Sequence, residues 1–439
     1  MNIDPDGFLS RNEINRHRSN FVTEKLRTFE AGTIDKKVSI IIPTKNAGND
    51  FEFVLEKLRS QKGISDLEII VIDSGSEDNT IDIAKRFECR IYNIDPSEFR
   101  HGPTRNFAAE RANGYYIGFL VQDAMPIGDY WLKNTVSVLE DDDQIGAVTC
   151  RQVPRSEADL FAVYSLWSHN RFLGFTEDRI AAPDQMRPDL QPAEIRRLVG
   201  LDNVSSIIRK DLFDELKFND ISYGEDLDLG RRILQRGYKI GFIFSTCVAH
   251  SHNRDPGYFI RRSYVDNKLL PKILSYDASI IINKDNNPNE IVASILILYY
   301  ALNATLPSLR ASLLESENIY HMFLKMKLTL IENLPRGYSY LEGFKKGDPS
   351  LDAQLAEICK IIKPSGNYPD HNLTKYYFDL FYGLGEFLSY YGFGNKNCDQ
   401  VVDCLYKMFS MSAGYALANC YELNPASTIN LDRYLSRGI

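Results

Sequence analysis

Short apolar runs and amphipathic stretches alternate along the chain from Lys37 to Phe244. Val38–Ile42, VSIII, is continuous, apolar and β-branched, the pattern of a strand buried on both faces. Phe53, Val54, Leu55 and Leu58 then fall near one face of a helix. Leu67–Ile72 repeats the strand pattern, Asp78–Phe87 reads as a helix and Cys89–Ile94 as a third strand. Thr104–Ala112 predicts a further helix and Tyr115–Val121 a fourth strand. Strands alternating with helices imply βαβ units and a mainly parallel sheet. Beyond Asp123 the pattern loosens. Tyr130–Leu139 reads as helix and Ile145–Thr149 as strand, and a proline-rich polar insertion without strand pattern follows through Pro183, Pro188 and Pro192. Apolar character returns at Val204–Ile208. A helix is predicted over Asp226–Gln235, with Gly237 suited to cap its C-terminus, and Tyr238–Phe244 reads as a strand.

From about Ser275 the strand alternation gives way to helical spacing, as in Leu351–Ile362 and Tyr376–Tyr391. The pattern therefore divides the chain into a helical lead-in over 1–36, an α/β domain over 37–274 and an all-helical domain over 275–439. Aromatic side chains such as Tyr376, Tyr377, Phe378, Phe381 and Tyr382 are expected to build the core of the last. Its most apolar run, Ile291–Leu302, is shorter than the ~20 residues of a membrane span and is read as a buried helix.

Composition narrows the field. A length of 439 residues suits two or three domains. The net charge is −8 and no basic block is present, which argues against a nucleic-acid partner. The seven cysteines are odd in number and form no CxxC pair, so neither a zinc ribbon nor a disulfide framework is expected, and a reducing cytoplasm fits best. The first 37 residues lack the apolar core of a signal peptide. Dinucleotide (GxGxxG) and P-loop (GxxxxGK[ST]) fingerprints are both absent.

The candidate chemistry lies just past the strands, where open parallel sheets bind ligands. Pro43, Thr44 and Asn46 follow the first strand. Asp73, Ser74 and Gly75 follow the second, and the next residues carry good N-capping chemistry. Together these two strand ends could hold a nucleoside, with Asp73 accepting hydrogen bonds from base or ribose. Gln122 and Asp123 follow the fourth strand, where a carboxylate can hold a divalent cation that neutralises a diphosphate. Glu225 and Asp226 open a helix after Gly224, a placement favourable to a carboxylate charge.

Read in order, VSIIIPTKN, IDSGSEDNT and EFRHGPTRNFAAERANGYYIGFLVQDAMP resemble glycosyltransferase family 2, and the QDA form preceded by HGPTRN resembles its bacterial rhamnosyltransferase-type members. The likeness continues through Arg151–Pro154, Asn203–Arg209, Gly224–Leu229 and Ala249–Asn253, and covers about 37–270. It implies the GT-A (nucleotide-diphospho-sugar transferase) fold. It also implies that Thr44 and Asp73 contact the nucleoside, and that His101, Arg105 and Asn106 line the nucleotide or diphosphate site. Gly102 would let the backbone approach closely there. Asp123 corresponds to the acid of the family's metal motif, here reduced from DxD to QDA, so the Mn2+ or Mg2+ expected there needs another ligand. His250 is favoured over His252 for that part. Asp226 corresponds to the catalytic base, with Glu225 orienting acceptor or base, and Asp228 is expected behind the site or facing solvent.

The expected reaction is inverting transfer of a sugar, rhamnose first, from a nucleoside-diphosphate donor such as dTDP-rhamnose to a hydroxyl of a growing bacterial surface glycan or O-antigen. The acceptor would be lipid-linked and the enzyme cytoplasmic, with peripheral membrane contact and homo-oligomerisation both open. A non-catalytic nucleotide-sugar-binding scaffold and a sugar nucleotidyltransferase are the alternatives.

Overall fold

The computed structural model describes residues 32–174, 176–275, 287–315, 328–333, 347–365, 371–391 and 398–437. Most of the lead-in expected over 1–36 lies outside them; its described end holds a single bridge from Ile34 to Ile64 and no helix.

The described residues up to Ala158, with Ser168–Ser251, form one compact unit. Nine strands make one mixed, mostly parallel sheet in the order β3-β2-β1-β4-β8-β6-β9-β5, with β7 paired to β9. These strands are β1 (Val38–Thr44), β2 (Leu67–Asp73), β3 (Arg90–Asn93), β4 (Tyr116–Leu120), β5 (Met125–Pro126), β6 (Ile145–Val153), β7 (Arg179–Ala181), β8 (Ser205–Arg209) and β9 (Lys239–Ala249). The expected α/β sheet is therefore present. β1 is flanked in parallel by β2 and β4, and its aliphatic side chains are fully buried, as the unbroken VSIII run requires. Phe51, Val54, Leu55 and Leu58 of helix Asp50–Arg59 and Leu132, Val136 and Leu139 of helix Trp131–Asp141 cover the sheet and share its core.

Two parts differ from the sequence expectation. The proline-rich insertion contains helices Leu160–Leu173 and Pro192–Leu198 and the short strand β7. Its periodicity is weak because proline opens helix Pro192–Leu198 and β7 has only three residues. In addition, β8 runs antiparallel to β4 and β6 in mid-sheet. Strand direction depends on the connection between strands, which apolar runs do not encode.

The second unit comprises Asp159–Trp167 and the chain from His252 onward. Its described elements after Ser251 are helices, as expected. The division falls after Ser251 rather than near Ser275, because helix Pro256–Leu274 packs lengthwise on helix Cys398–Leu423. Gly414 permits that closeness, since a Cβ there would lie 2.3 Å from the Ile260 carbonyl oxygen. Tyr377 and Phe381 are buried as predicted, whereas Tyr382 is exposed. The apolar run sits in the longer helix Pro288–Glu315. Over Pro288–Leu309 that helix is long and apolar enough to cross a membrane, yet Ile291, Val292, Ile295, Leu298, Tyr299 and Leu302 are all buried within the protein.

Candidate active site

Register alone brings the first two clusters together, for Thr44 pairs with Asp73 at the carboxyl ends of β1 and β2. The Thr44 hydroxyl donates to Asp73 Oδ1 at 3.0 Å. The same carboxylate accepts from the Gly75 and Ser76 amides at 3.0 and 2.8 Å and from the Ser76 hydroxyl at 2.5 Å. Those donors use the acceptor sites of an ionised carboxylate. In this structure Asp73 therefore shapes the turn that the nucleoside was expected to meet. Ser74 ties the turn back to β1, its amide and hydroxyl both donating to the Thr44 carbonyl. Asn46, in the left-handed region at φ 47°, accepts from the Glu77 amide, while its own amide donates to Ser76 Oγ. Pro43, next to last in β1, is half-buried, and Gly75 lies exposed at φ 85°, a value that favours glycine.

Gln122 clasps the Lys45 backbone, accepting from its amide at 2.8 Å and donating to its carbonyl at 3.3 Å. Only an amide can do both, since a carboxylate cannot donate. This accounts for Gln rather than an acid beside Asp123.

The HGPTRN segment forms helix His101–Ala109, three residues earlier than predicted, with Pro103 tolerated in its first turn. His101 is exposed at its start with its ring edge-on to Phe99. Asn106 makes paired bonds with the Phe218 backbone at 2.9 Å each, and so braces two chain segments. Gly102 also serves internal packing: a Cβ there would lie 2.7 Å from the Asn219 carbonyl oxygen. Gly102→Ala should cost about 1–3 kcal/mol through overpacking, measurable by denaturant melting. Arg105 is almost fully buried. It donates to the His101 carbonyl at 3.0 Å and pairs with Glu225 at 3.3 Å, so it is aimed at the helix start carrying the candidate base.

Helix Glu225–Gln235 begins after Gly224, whose φ of 68° favours glycine, and Glu225, Asp226 and Asp228 lie in its first turn. Glu225 is buried and also accepts from Asn203 Nδ2 at 3.0 Å. Half-buried Asp226 accepts from the Asn203 amide at 3.2 Å. Burial, reinforced by the Glu225 and Asp202 charges, pushes its pKa up to about 7. That is the range in which a general base works best at neutral pH. Asp228 does not face solvent. It is buried, accepting from Asn219 and Arg232 at 2.8 Å each.

On the other side of β8, β9 delivers His250 and the short β5 follows Asp123, and their antiparallel pairing brings His250 Nε2 to 3.6 Å from Asp123 Oδ1. His250 Nδ1 meets Gln152 Oε1 at 2.8 Å, and Gln152 Nε2 donates to Asp202 Oδ2 at 2.5 Å. Burial lowers the His250 pKa from its ordinary value, against the pull of Asp123 and Asp202, which favours the neutral ring. Two donors each about 2.1 Å from one ion are at most about 4.2 Å apart, so a neutral imidazole and a carboxylate at 3.6 Å fit a divalent cation. His252 belongs to the second unit.

Sequence reasoning missed Asp202 and the bracing role of Asn203. Both immediately precede β8, and because β8 is antiparallel its entrance lies beside the exits of β4 and β6. The polar pair Asp202-Asn203 before an apolar run was the available signal.

Residues 39–191 match the family model of glycosyl transferase family 2. Over 224 residues the chain is 34% identical to the O-antigen chain rhamnosyltransferase RfbN of Salmonella typhimurium, spanning 50% of this chain and 68% of that protein. Over 233 residues it is 31% identical to the O-antigen chain rhamnosyltransferase WbaN of Salmonella anatum, spanning 52% and 70%. Among solved structures, the mannosyltransferase PcManGT from Pyrobaculum calidifontis, in complex with GDP-Man and Mn2+, is 16% identical with a TM-score of 0.43, over 85% of this chain and 93% of that one.

Proposed function

Since the chain belongs to glycosyltransferase family 2, we propose that this enzyme transfers rhamnose from dTDP-rhamnose to a hydroxyl of a growing surface glycan, with inversion at the anomeric carbon. A nucleotide-sugar donor and a glycan acceptor go with a glycosyltransferase of this family. The two Salmonella relatives, both O-antigen chain rhamnosyltransferases, support rhamnose as the sugar. A lipid-linked acceptor, reached from the cytoplasmic face of the membrane, suits that assignment.

One observation carries the chemical reading. His250, 3.6 Å from Asp123, is hydrogen-bonded through Gln152 to Asp202, and Asn203, the next residue in the chain, donates its amide to Asp226. This arrangement joins a cation-holding pair to a carboxylate tuned for proton abstraction. Asp226 takes the proton of the acceptor hydroxyl as that oxygen attacks the anomeric carbon, and the bond to the diphosphate breaks on the opposite face. Asp123 and His250 would hold a divalent cation, Mn2+ being the better match to imidazole, and that ion would supply charge neutralisation for the departing diphosphate. The turns around Thr44–Asn46 and Asp73–Ser76 seat the nucleoside. Arg105 and Glu225 brace Asp226 from behind.

The test is titration calorimetry of the full chain with dTDP, UDP and GDP and their sugars, with and without Mn2+. Selective, Mn2+-enhanced binding of dTDP and dTDP-rhamnose is expected, and Asp123→Ala should remove the Mn2+ enhancement. Binding of a different nucleotide would replace the donor assignment. A folded protein that binds none of them would end the transferase mechanism set out above.

A further inference from the structure

We propose that Asp202, acting through Gln152, selects the imidazole tautomer of His250 that carries its lone pair on Nε2, the nitrogen directed at Asp123. This deepens the reading of Asp123 and His250 as a cation-holding pair, on which its functional meaning rests. Both carboxylate oxygens of Asp202 have assigned donors: the Val204 amide on Oδ1 at 2.9 Å and Gln152 Nε2 on Oδ2 at 2.5 Å. A carboxylate only accepts, so Gln152 must present its NH2 group to Asp202 and its carbonyl to the other side. That carbonyl lies 2.8 Å from His250 Nδ1. A carbonyl also only accepts, so Nδ1 must carry the ring proton. In a neutral imidazole the lone pair is then on Nε2, 3.6 Å from Asp123.

Asp202 is thus a positioning residue. Its influence reaches His250 through the handedness of one amide. The hydrogen bond to Gln152 spans a sequence separation of 50 residues and joins the β8 entrance to β6, two strands that the sheet makes neighbours. Partners of this kind, behind a metal ligand, typically affect metal affinity 10–100-fold when removed.

The test uses Asp202→Asn and the double variant Gln152→Glu/Asp202→Asn in the full chain. An amide introduced at 202 can keep its carbonyl for the Val204 amide only by turning its NH2 toward Gln152. Gln152 then reverses, its own NH2 meets His250 Nδ1, and the ring proton moves to Nε2. In the double variant, a carboxylate introduced at 152 accepts from both the amide at 202 and Nδ1–H, and net charge is unchanged. The first readout is the tautomer, by nitrogen NMR of protein labelled only at its seven histidines, with His250→Gln identifying the signal. The second is Mn2+ affinity in the presence of dTDP, by calorimetry.

The expected pattern is an Nδ1–H ring in the wild type, an Nε2–H ring with about 10–100-fold weaker Mn2+ binding in Asp202→Asn, and recovery of both in the double variant. An Nε2–H ring in the wild type overturns the inference. So does an unchanged ring in Asp202→Asn, which is the result if Asp202 serves only to close the turn before β8. A tautomer that switches and recovers as expected, in a protein that binds no Mn2+, supports the selection by Asp202 and overturns the cation reading instead.

Discussion

Asp226→Asn should lower kcat by about 10²–10⁴-fold, the usual worth of a general base, while leaving donor affinity unchanged. Asn keeps the carbonyl oxygen that accepts from the Asn203 amide but cannot take a proton. In the wild type the active form is the carboxylate. With the pKa pushed up to about 7, kcat/KM should climb as pH rises toward 7 and level off above it. Stability should run the other way. A carboxyl whose folded pKa lies above its unfolded value stabilises the fold only while protonated, so Asp226 becomes a cost as pH rises from about 4 through 7. Asp226→Asn should therefore be more stable than the wild type at pH 8, by on the order of 1–3 kcal/mol, with the difference shrinking toward pH 4. Steady-state kinetics across pH, with melting at pH 4 and 8, test both halves. Near-normal turnover in the variant would remove Asp226 as the base.

Arg105→Ala should destabilise the catalytic unit by about 3–5 kcal/mol, because it leaves Glu225 buried without its cationic partner. Asn203 still donates to Glu225, but a neutral amide does not replace a guanidinium. Removing both charges with Arg105→Met/Glu225→Gln should recover much of the stability, since breaking a buried pair costs more than replacing it. Nucleotide affinity in both variants should stay close to wild type wherever the protein is folded. This separates the buried brace seen here from the diphosphate contact that family resemblance implied for Arg105. Wild-type stability with tenfold weaker dTDP binding in Arg105→Ala would favour the diphosphate role. Denaturant melting and calorimetry on the same samples decide it.

Much of the catalytic unit was legible in the chain. Short, largely apolar runs such as Val38–Ile42, rich in β-branched residues and alternating with helical stretches, fit strands covered on both faces, so β1, β2 and β4 and the helices between them followed. Gly224-Glu225-Asp226 was equally readable, because a glycine with left-handed backbone followed by acids is the local chemistry of a helix start. The clusters at Thr44, Asp73 and Asp123 were found because strand exits in a parallel sheet converge on one edge.

Sequence by itself thus determined the alternation of strands and helices up to Asp123, the family and the placement of acidic groups at strand exits, since these depend on local periodicity, capping and motif order. Tertiary structure alone decided what each group touches. It turned Asp73 inward on its own turn, Arg105 onto Glu225, and Asn106 onto the Phe218 backbone. It reversed β8, so that Asp202 and Asn203 entered the same edge from the opposite direction. It also allotted helix Pro256–Leu274 to the helical unit. Hydrogen-bond partners and helix pairs separated by dozens to hundreds of residues are set by strand direction and packing, and no window of local sequence contains them.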